Sequence, residues 1–444
     1  MKAKKTLSPT RLLAIGFAVV ILGGALLLCL PFATREGMEI NFWEALFTAT
    51  SATCVTGLVV VDTYLQFTLF GQFVIMCLIQ IGGLGFVAVI TAFVMVTGKR
   101  IGLQERAYLM ESVSATQLGG VVKLLRFTLA FTFAVEGIGA LLLMIRFCPQ
   151  LGLGRGIWYG IFHSVSAFCN AGFDLMGFQG PYNSLVEYRA DPLVNLVIMG
   201  LIILGGVGFV VWKDVATHHY HFRRYTLHAK VVLVMTAVLL VGGTIGFLIV
   251  ERNHTLAGMS AGERLLAASF EAVTPRTAGF NTTDLNELSE AGAILTVLLM
   301  MVGAAPGSTG GGMKVTTVAV ILMAVISGIR QREDINIFHR RLGGDQMRRA
   351  FVSGSLYLLL ASGGIFLILS LQDISIRDVI LEVFSALSTV GLSTGITREL
   401  NLISRLVLII LMYSGRVGGL AVLAAVAARR TPKVKNPEGK IIIG

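Results

Sequence analysis

Four short stretches carry the residues best placed to do chemistry: Val55-Thr56-Gly57, Asn170-Ala171-Gly172, Thr277-Ala278-Gly279 and Thr389-Val390-Gly391. They close the longer motifs Ser51–Leu58, Ser166–Phe173, Val273–Phe280 and Ser385–Leu392, which align without a gap and recur roughly every 110 residues. A glycine at a fixed place points to a backbone conformation closed to other residues, or to close approach by another group. The pairs before the glycines are uncharged, so the chemistry left to these loops is coordination by backbone carbonyl oxygens. Carbonyls can replace the hydration shell of a monovalent cation. A divalent cation would call for a ring of Asp or Glu, and an anion for basic residues. Arg276, three before Gly279, is the exception, expected behind its loop, holding carbonyls or paired with Glu271.

Each motif sits between apolar segments. The expected first helices cover 11–31, 121–148, 231–250 and 350–371, and the short segments before the motifs cover 41–53, 158–168, 262–274 and 379–386. About a dozen residues suits a re-entrant helix better than a span. The second helices are expected from about Gln66 to Thr97, Leu193 to Trp212, near Ala291 onward, and Leu402 to Ala428. The third is broken by Gly303–Lys314, too rich in glycine and carrying Pro306. The expected architecture is an all-α polytopic membrane protein of four tandem helix–pore loop–helix repeats with fourfold pseudosymmetry, eight spans and four re-entrant pore helices. The repeats run 1–98, 99–215, 216–329 and 330–444. Irregular backbone at membrane depth survives only when buried in protein or lining a water-filled cavity. Four such loops around one axis make a cavity the natural place.

Composition agrees. Hydrophobic residues make up 55% and charged residues 14%, against roughly 25% charged in soluble domains. A soluble core of this composition would leave implausibly little surface. The net charge of +11 is not a nucleic-acid signal. Every lysine (Lys2, Lys4, Lys5, Lys99, Lys123, Lys213, Lys230, Lys314, Lys433, Lys435, Lys440) lies in one alternate set of segments, joined by Arg340-Arg341, Arg348-Arg349 and Arg429-Arg430. The other set holds Glu36, Glu39, Asp174, Glu187, Asp191, Asp284, Glu287 and Glu290. This positive-inside pattern puts both termini in the cytoplasm, with some basic surplus for anionic lipid or an acidic partner. The apolar run 12–32 is too long for a signal peptide and reads as a retained first span.

Several signals are weaker. Cys29, Cys54, Cys77, Cys148 and Cys169 are odd in number and scattered, giving no disulfide framework or metal cluster. Cys54 and Cys169 share a motif column and read as packing residues behind the loops. His218-His219-Tyr220-His221 shows no nearby carboxylate or cysteine and reads as a solvated basic loop. His163 reads as packing. Gly307–Lys314 departs from the phosphate-binding spacing and follows an apolar helix, so nucleotide binding there is set aside. The glycine clusters Gly82-Gly83-Leu84-Gly85 and Gly205-Gly206-Val207-Gly208 read as close helix packing through small residues. Arg416, in mid-helix, is a functional candidate by default. A guanidinium on a cation path raises the barrier to conduction; the alternative is pairing with helix-end carbonyls.

The four motif glycines, Arg-Thr-Ala-Gly-Phe at 276–280, Pro-Gly-Ser-Thr-Gly-Gly-Gly-Met-Lys at 306–314 and Gly-Arg-Val-Gly-Gly at 415–419 together resemble the Trk/Ktr/HKT family of potassium transporters. The resemblance covers essentially the whole chain. It is nearest the Ktr membrane subunit, because Trk members usually carry an extra helix pair before the first repeat. It implies potassium as the transported ion, with Val55, Thr56, Gly57, Asn170, Ala171, Gly172, Thr277, Ala278, Gly279, Thr389, Val390 and Gly391 forming the filter. Glycine rather than serine at 57 reads as potassium preference. Sodium, as the transported, coupling or activating ion, stays open. The resemblance further implies a mobile intramembrane gate containing Gly307, Ser308, Thr309, Gly310, Gly311, Gly312 and Lys314, working with Arg416. It also implies a homodimer in the plasma membrane, a cytoplasmic nucleotide-binding (KtrA-like) regulatory ring, no covalent cofactor and no nucleic-acid partner. The readings from other classes are an intramembrane enzyme or a scaffold; no clustered Asp, Glu, His or Ser constellation within the bilayer is apparent to support the enzyme.

Overall fold

About 20 successive apolar residues are needed for a helix to cross a bilayer. Among the described residues four unbroken helices meet that need: Pro9–Leu28, Val121–Leu151, Leu227–Val250 and Gly344–Leu371. The structure, a computed structural model, describes residues 9–96, 102, 106, 108–110, 120–332 and 334–419. Lys2, Lys4, Lys5, Lys99, Arg100, Arg429, Arg430, Lys433, Lys435, Lys440 and the expected last-helix residues 420–428 lie outside the described residues. The four long helices expose large apolar side chains such as Val19, Leu26, Phe133, Leu141, Val238, Ile249, Leu359 and Phe366. That is the surface a chain presents to lipid, and this is a multi-pass membrane protein.

Each long helix packs on a short one, Phe42–Cys54, Leu153–Phe168, Ala261–Val273 and Ile376–Ser388. Local sequence starts two of these firmly. Asn41 with Glu44 and Ser260 with Glu263 form reciprocal capping boxes. The second helices begin at Leu69, Pro192, Glu290 and Leu402, capped by the side chains of Thr68, Asp191, Ser289 and Asn401. Each second helix also packs on the short helix of the next repeat, and the fourth returns to the first. The ring therefore closes in the order of the chain.

The second helices differ from expectation in one respect. Those of the first two repeats are not continuous spans: Leu69–Leu84 and Pro192–Val207 each turn by 94° into Phe86–Val96 and Phe209–His218. The turning residues, Gly85 (φ 83°, ψ 130°) and Gly208 (φ 96°, ψ 142°), occupy a region essentially closed to side chains. Gly418 ends the last helix with the same backbone, φ 93° and ψ 122°. The third helix breaks as expected, between Glu290–Met301 and Val315–Ile329. Gln66 belongs to a separate turn, Thr63–Gln66, and the helix expected from Ala350 starts at Gly344. Two details depart from an all-helical chain: a two-residue antiparallel ladder pairs Asn336 with Arg341 and Ile337 with Arg340, and an isolated bridge joins Thr34 to Phe67.

The glycine clusters do pack closely, helix to helix, each against the C-terminal end of a short helix. A Cβ on Gly82, Gly205 or Gly415 would run into the carbonyl oxygen of Thr53, Phe168 or Leu387, the residue four before each motif glycine. Gly205→Ala should therefore lower stability by about 1–3 kcal/mol, while Gly200→Ala on the same helix, with nothing within 4 Å, should stay within about 0.5 kcal/mol of wild type. Thermal unfolding followed by size exclusion in detergent distinguishes the two.

Candidate functional site

The four motifs differ in side chain and share a backbone. Two residues before each glycine the chain turns left-handed, at Val55 (φ 58°), Asn170 (59°), Thr277 (69°) and Thr389 (54°). The glycines do so again, at 94°, 67°, 82° and 95° for Gly57, Gly172, Gly279 and Gly391. A β-branched residue at positive φ is a genuine outlier, and three of the four are β-branched. The side chains of 55, 56, 170, 171, 277, 278, 389 and 390 are fully buried, so they turn away from the axis into protein.

The glycines meet around that axis. A Cβ built on Gly57 would fall within 2.6 Å of the Ala171 carbonyl oxygen, on Gly172 of Ala278's, on Gly279 of Val390's, and on Gly391 of Thr56's. Each glycine thus lies against the carbonyl that precedes the next glycine in the chain, and the set closes on itself.

Hydroxyls from the short helices hold the turns. Ser51 Oγ accepts from the Gly57 N–H and Ser385 Oγ from the Gly391 N–H, each at 3.0 Å. Ser166 Oγ donates to the Phe173 carbonyl at 2.7 Å. In the third motif this column holds Val273, and Thr274, one residue later, donates to the Phe280 carbonyl instead. Sequence reasoning missed this role, although a serine six before the glycine in three copies of four was its signal.

A second set of buried polar groups braces the chain after three of the four glycines, those of the second, third and fourth motifs. His163 Nε2 accepts from the Leu175 N–H at 3.2 Å, so it does more than pack. Glu271 accepts from Thr283 Oγ1, and Glu382 from Ser393 Oγ (2.7 Å) and Thr397 Oγ1. Glu271 is therefore not the partner of Arg276, whose guanidinium sits behind the loop and donates to Thr236 Oγ1 at 3.3 Å. Cys169 is buried against Gln80 and Glu136, which themselves pair at 3.2 Å. Those two polar residues on apolar helices were not singled out in the sequence. His218 does have a carboxylate partner, Asp214, at 2.9 Å, yet no His, Cys, Asp and Glu group among the described residues could hold a metal ion.

Cavities lie on either side of the ring. On one side, about 340 Å³ is lined by all four glycines together with Asp62, Asp174, Tyr182, Asp284 and Arg398. On the other, about 300 Å³ is lined by Gly83, Gly85, Ser308, Gly310, Gly312, Lys314 and Arg416, among others. Between them runs the Gly303–Lys314 loop. Thr309 Oγ1 donates to the Phe168 carbonyl (3.0 Å), the Gly311 N–H to Thr389 Oγ1 (3.1 Å), and the Gly312 N–H to the Gly415 carbonyl (3.2 Å). Lys314 Nζ folds back onto the Gly310 carbonyl at 2.6 Å, and Ser308 Oγ onto Ala305's at 2.6 Å. Gly307 accepts from the Phe209 N–H at 2.9 Å.

Arg416 occupies the column held by Gly83 and Gly206 in the first two repeats. It donates to the carbonyls of Thr309, Gly82 and Gly83, the last at 3.1 Å. No carboxylate among the described residues pairs with it. The structure thus brings the sequence-derived site residues together in two layers, the glycine ring and the loop with Arg416.

A ring of backbone carbonyls between two cavities inside a multi-pass membrane protein is the arrangement of a cation-transporting membrane protein. The comparisons agree: the family model described as TrkH, cation transport protein, matches residues 17–435, and the chain belongs to that family. It is 42% identical to the potassium/sodium uptake protein NtpJ of Enterococcus hirae, over 100% of this chain and 99% of that one. It is 40% identical to the Ktr system potassium uptake protein B of Bacillus subtilis, over 98% and 97%. The crystal structure of the potassium transporter TrkH from Vibrio parahaemolyticus shares the fold, with a TM-score of 0.75 at 18% identity over 96% of this chain and 86% of that one.

In the first cavity, burial pushes the Asp174 carboxyl up to about 7, opposed by the Met176 N–H and reinforced by the Asp62 charge. Asp174 is therefore neutral below about pH 7 and charged above it. Cation uptake below saturation should rise between pH 6 and 8 as this charge appears, and Asp174→Asn should hold uptake near its low-pH value. Initial rates across that range check it. Ser51→Ala leaves the buried Gly57 N–H without its partner and should cost about 1–3 kcal/mol of thermal stability, read by the same unfolding assay.

Proposed function

We propose that the chain is the translocating subunit of a Ktr-type potassium uptake system of the plasma membrane. The observation that carries this is the closed ring of four left-handed glycine turns, each with a neighbour's carbonyl against it, between two chambers. Ions would lose their water to carbonyls of residues 55–57, 170–172, 277–279 and 389–391. The short helices support this by directing their partially negative C-terminal ends at the ring. The loop from Gly307 to Lys314 and Arg416 form the gate, since both lie directly beneath the ring and are tied to each other. The acidic chamber faces outward and both termini face the cytoplasm, in keeping with the lysine distribution. A homodimer with a cytoplasmic nucleotide-binding ring is the assembly suggested by the Ktr system relatives. The protein is a transporter and not an enzyme.

Sodium or mixed monovalent transport is the second reading, favoured by the potassium/sodium uptake protein among the relatives and by an uncharged filter. Rubidium uptake into liposomes holding the purified chain, with potassium and sodium as competitors, separates the two. Competition by potassium alone supports the first reading and equal competition the second; no uptake by folded protein overturns both. Arg416→Ala removes the guanidinium from three carbonyls and should raise rubidium flux. Unchanged or lower flux through folded protein would sink its gating role.

A further inference from the structure

The acidic chamber is crossed by a strap. Residues 180–186 of the second repeat leave the ring and tie to all three other repeats. The Tyr182 N–H donates to Asp62 Oδ2 at 2.9 Å in the first repeat. Leu185 N–H donates to the Asn281 carbonyl (3.0 Å), and Asn281 N–H to Ser184 Oγ (3.2 Å), in the third. The Arg398 guanidinium of the fourth repeat lies over the Tyr182 ring, 4.1 Å from its centroid. Tyr182 and Ser184 hold positive φ, 61° and 45°, a conformation that persists only where the surroundings over-determine it. Because the ring closes in chain order, the second and fourth repeats face each other, and the Arg398–Tyr182 contact spans the mouth.

We propose that Arg398, pinned on Tyr182, keeps divalent cations out of a mouth whose carboxylates would otherwise concentrate them. The inference rests on the cation-uptake reading above. Asp62, Asp174 and Asp284 line this chamber, and Arg398 is the one basic residue among its described lining. Carboxylates are the ligands hard divalent cations prefer, so an acidic mouth alone would hold calcium or magnesium over the filter. Local ion concentration varies exponentially with ionic charge times potential. Whatever factor one guanidinium imposes on a monovalent ion is squared for a divalent one. Arg398 therefore acts mainly on the ions the pore must reject. It is held in place from behind as well: its carbonyl accepts from Arg405 Nη2 at 2.7 Å, and its Nε donates to the Gly395 carbonyl at 3.3 Å. Tyr182 is the positioning residue.

The test is rubidium uptake into liposomes containing the full chain at pH 8, with external calcium or magnesium as inhibitor. Arg398→Gln should lower the half-saturating rubidium concentration about twofold and the half-inhibiting calcium concentration about fourfold. Arg398→Lys should keep both near wild type, and Tyr182→Ala should fall between. Should Arg398→Gln fold poorly, Arg398→Cys treated with a cationic thiol reagent should regain calcium resistance, and an anionic reagent should deepen the inhibition. Equal factors for the two ions, or no change in calcium inhibition, would overturn the inference while leaving the uptake reading standing. No rubidium uptake by the wild-type chain would overturn both.

Discussion

Everything at the centre of this protein depends on peptide carbonyls approaching glycine Cα atoms more closely than any side chain would permit. The contact occurs in two layers. In one, Gly57, Gly172, Gly279 and Gly391 each leave room for the carbonyl of the next loop. In the other, Gly82, Gly205 and Gly415 leave room for the end of a short helix. The first draws four segments onto one axis, and the second fixes how deep the short helices reach. The hydroxyls of Ser51, Ser166, Thr274 and Ser385 then need only hold turns whose position is already settled.

The layer beneath follows from the same geometry. Breaking the second helices at Gly85, Gly208 and 303–314 leaves carbonyls without helical partners inside the helix bundle, and each must be satisfied within the protein. Arg416 serves two of the broken helices at once, through Gly82 and Gly83 on one and Thr309 on the other. The loop draws on the side chains of the very residues that turn left-handed above it, Asn170 and Thr389. Ring and loop are therefore one hydrogen-bonded unit, and a displacement of either is felt by the other.

Much of this was legible in the sequence because its carriers are rare residue types at regular spacing. Four glycines in four aligned motifs, an arginine inside an apolar helix and a glycine-rich interruption are visible without coordinates. The 94° turns at Gly85 and Gly208 were not, because glycines close together fit tight packing and a broken helix equally well; only the backbone angles separate them. Arg276 does sit behind its loop, but Glu271, five residues earlier and near the end of the short helix, turns instead to Thr283. Proximity along the chain does not tell which way two buried side chains point. Gln80 and Glu136 escaped for a similar reason: a lone polar residue on an apolar helix gains meaning only when its partner on another helix is known.

Arg416 stands where two other quarters carry glycine, and this is open only to a chain that holds all four quarters itself. In a channel built from four identical subunits, any residue placed there appears four times. Four guanidiniums would then face one another across a few ångströms, repelling each other and needing four sets of carbonyls. Holding the four quarters in one chain removes that multiplication. A single positive charge can be set off-axis beneath a nearly symmetric ring, and its removal, movement or rebinding becomes one event instead of four.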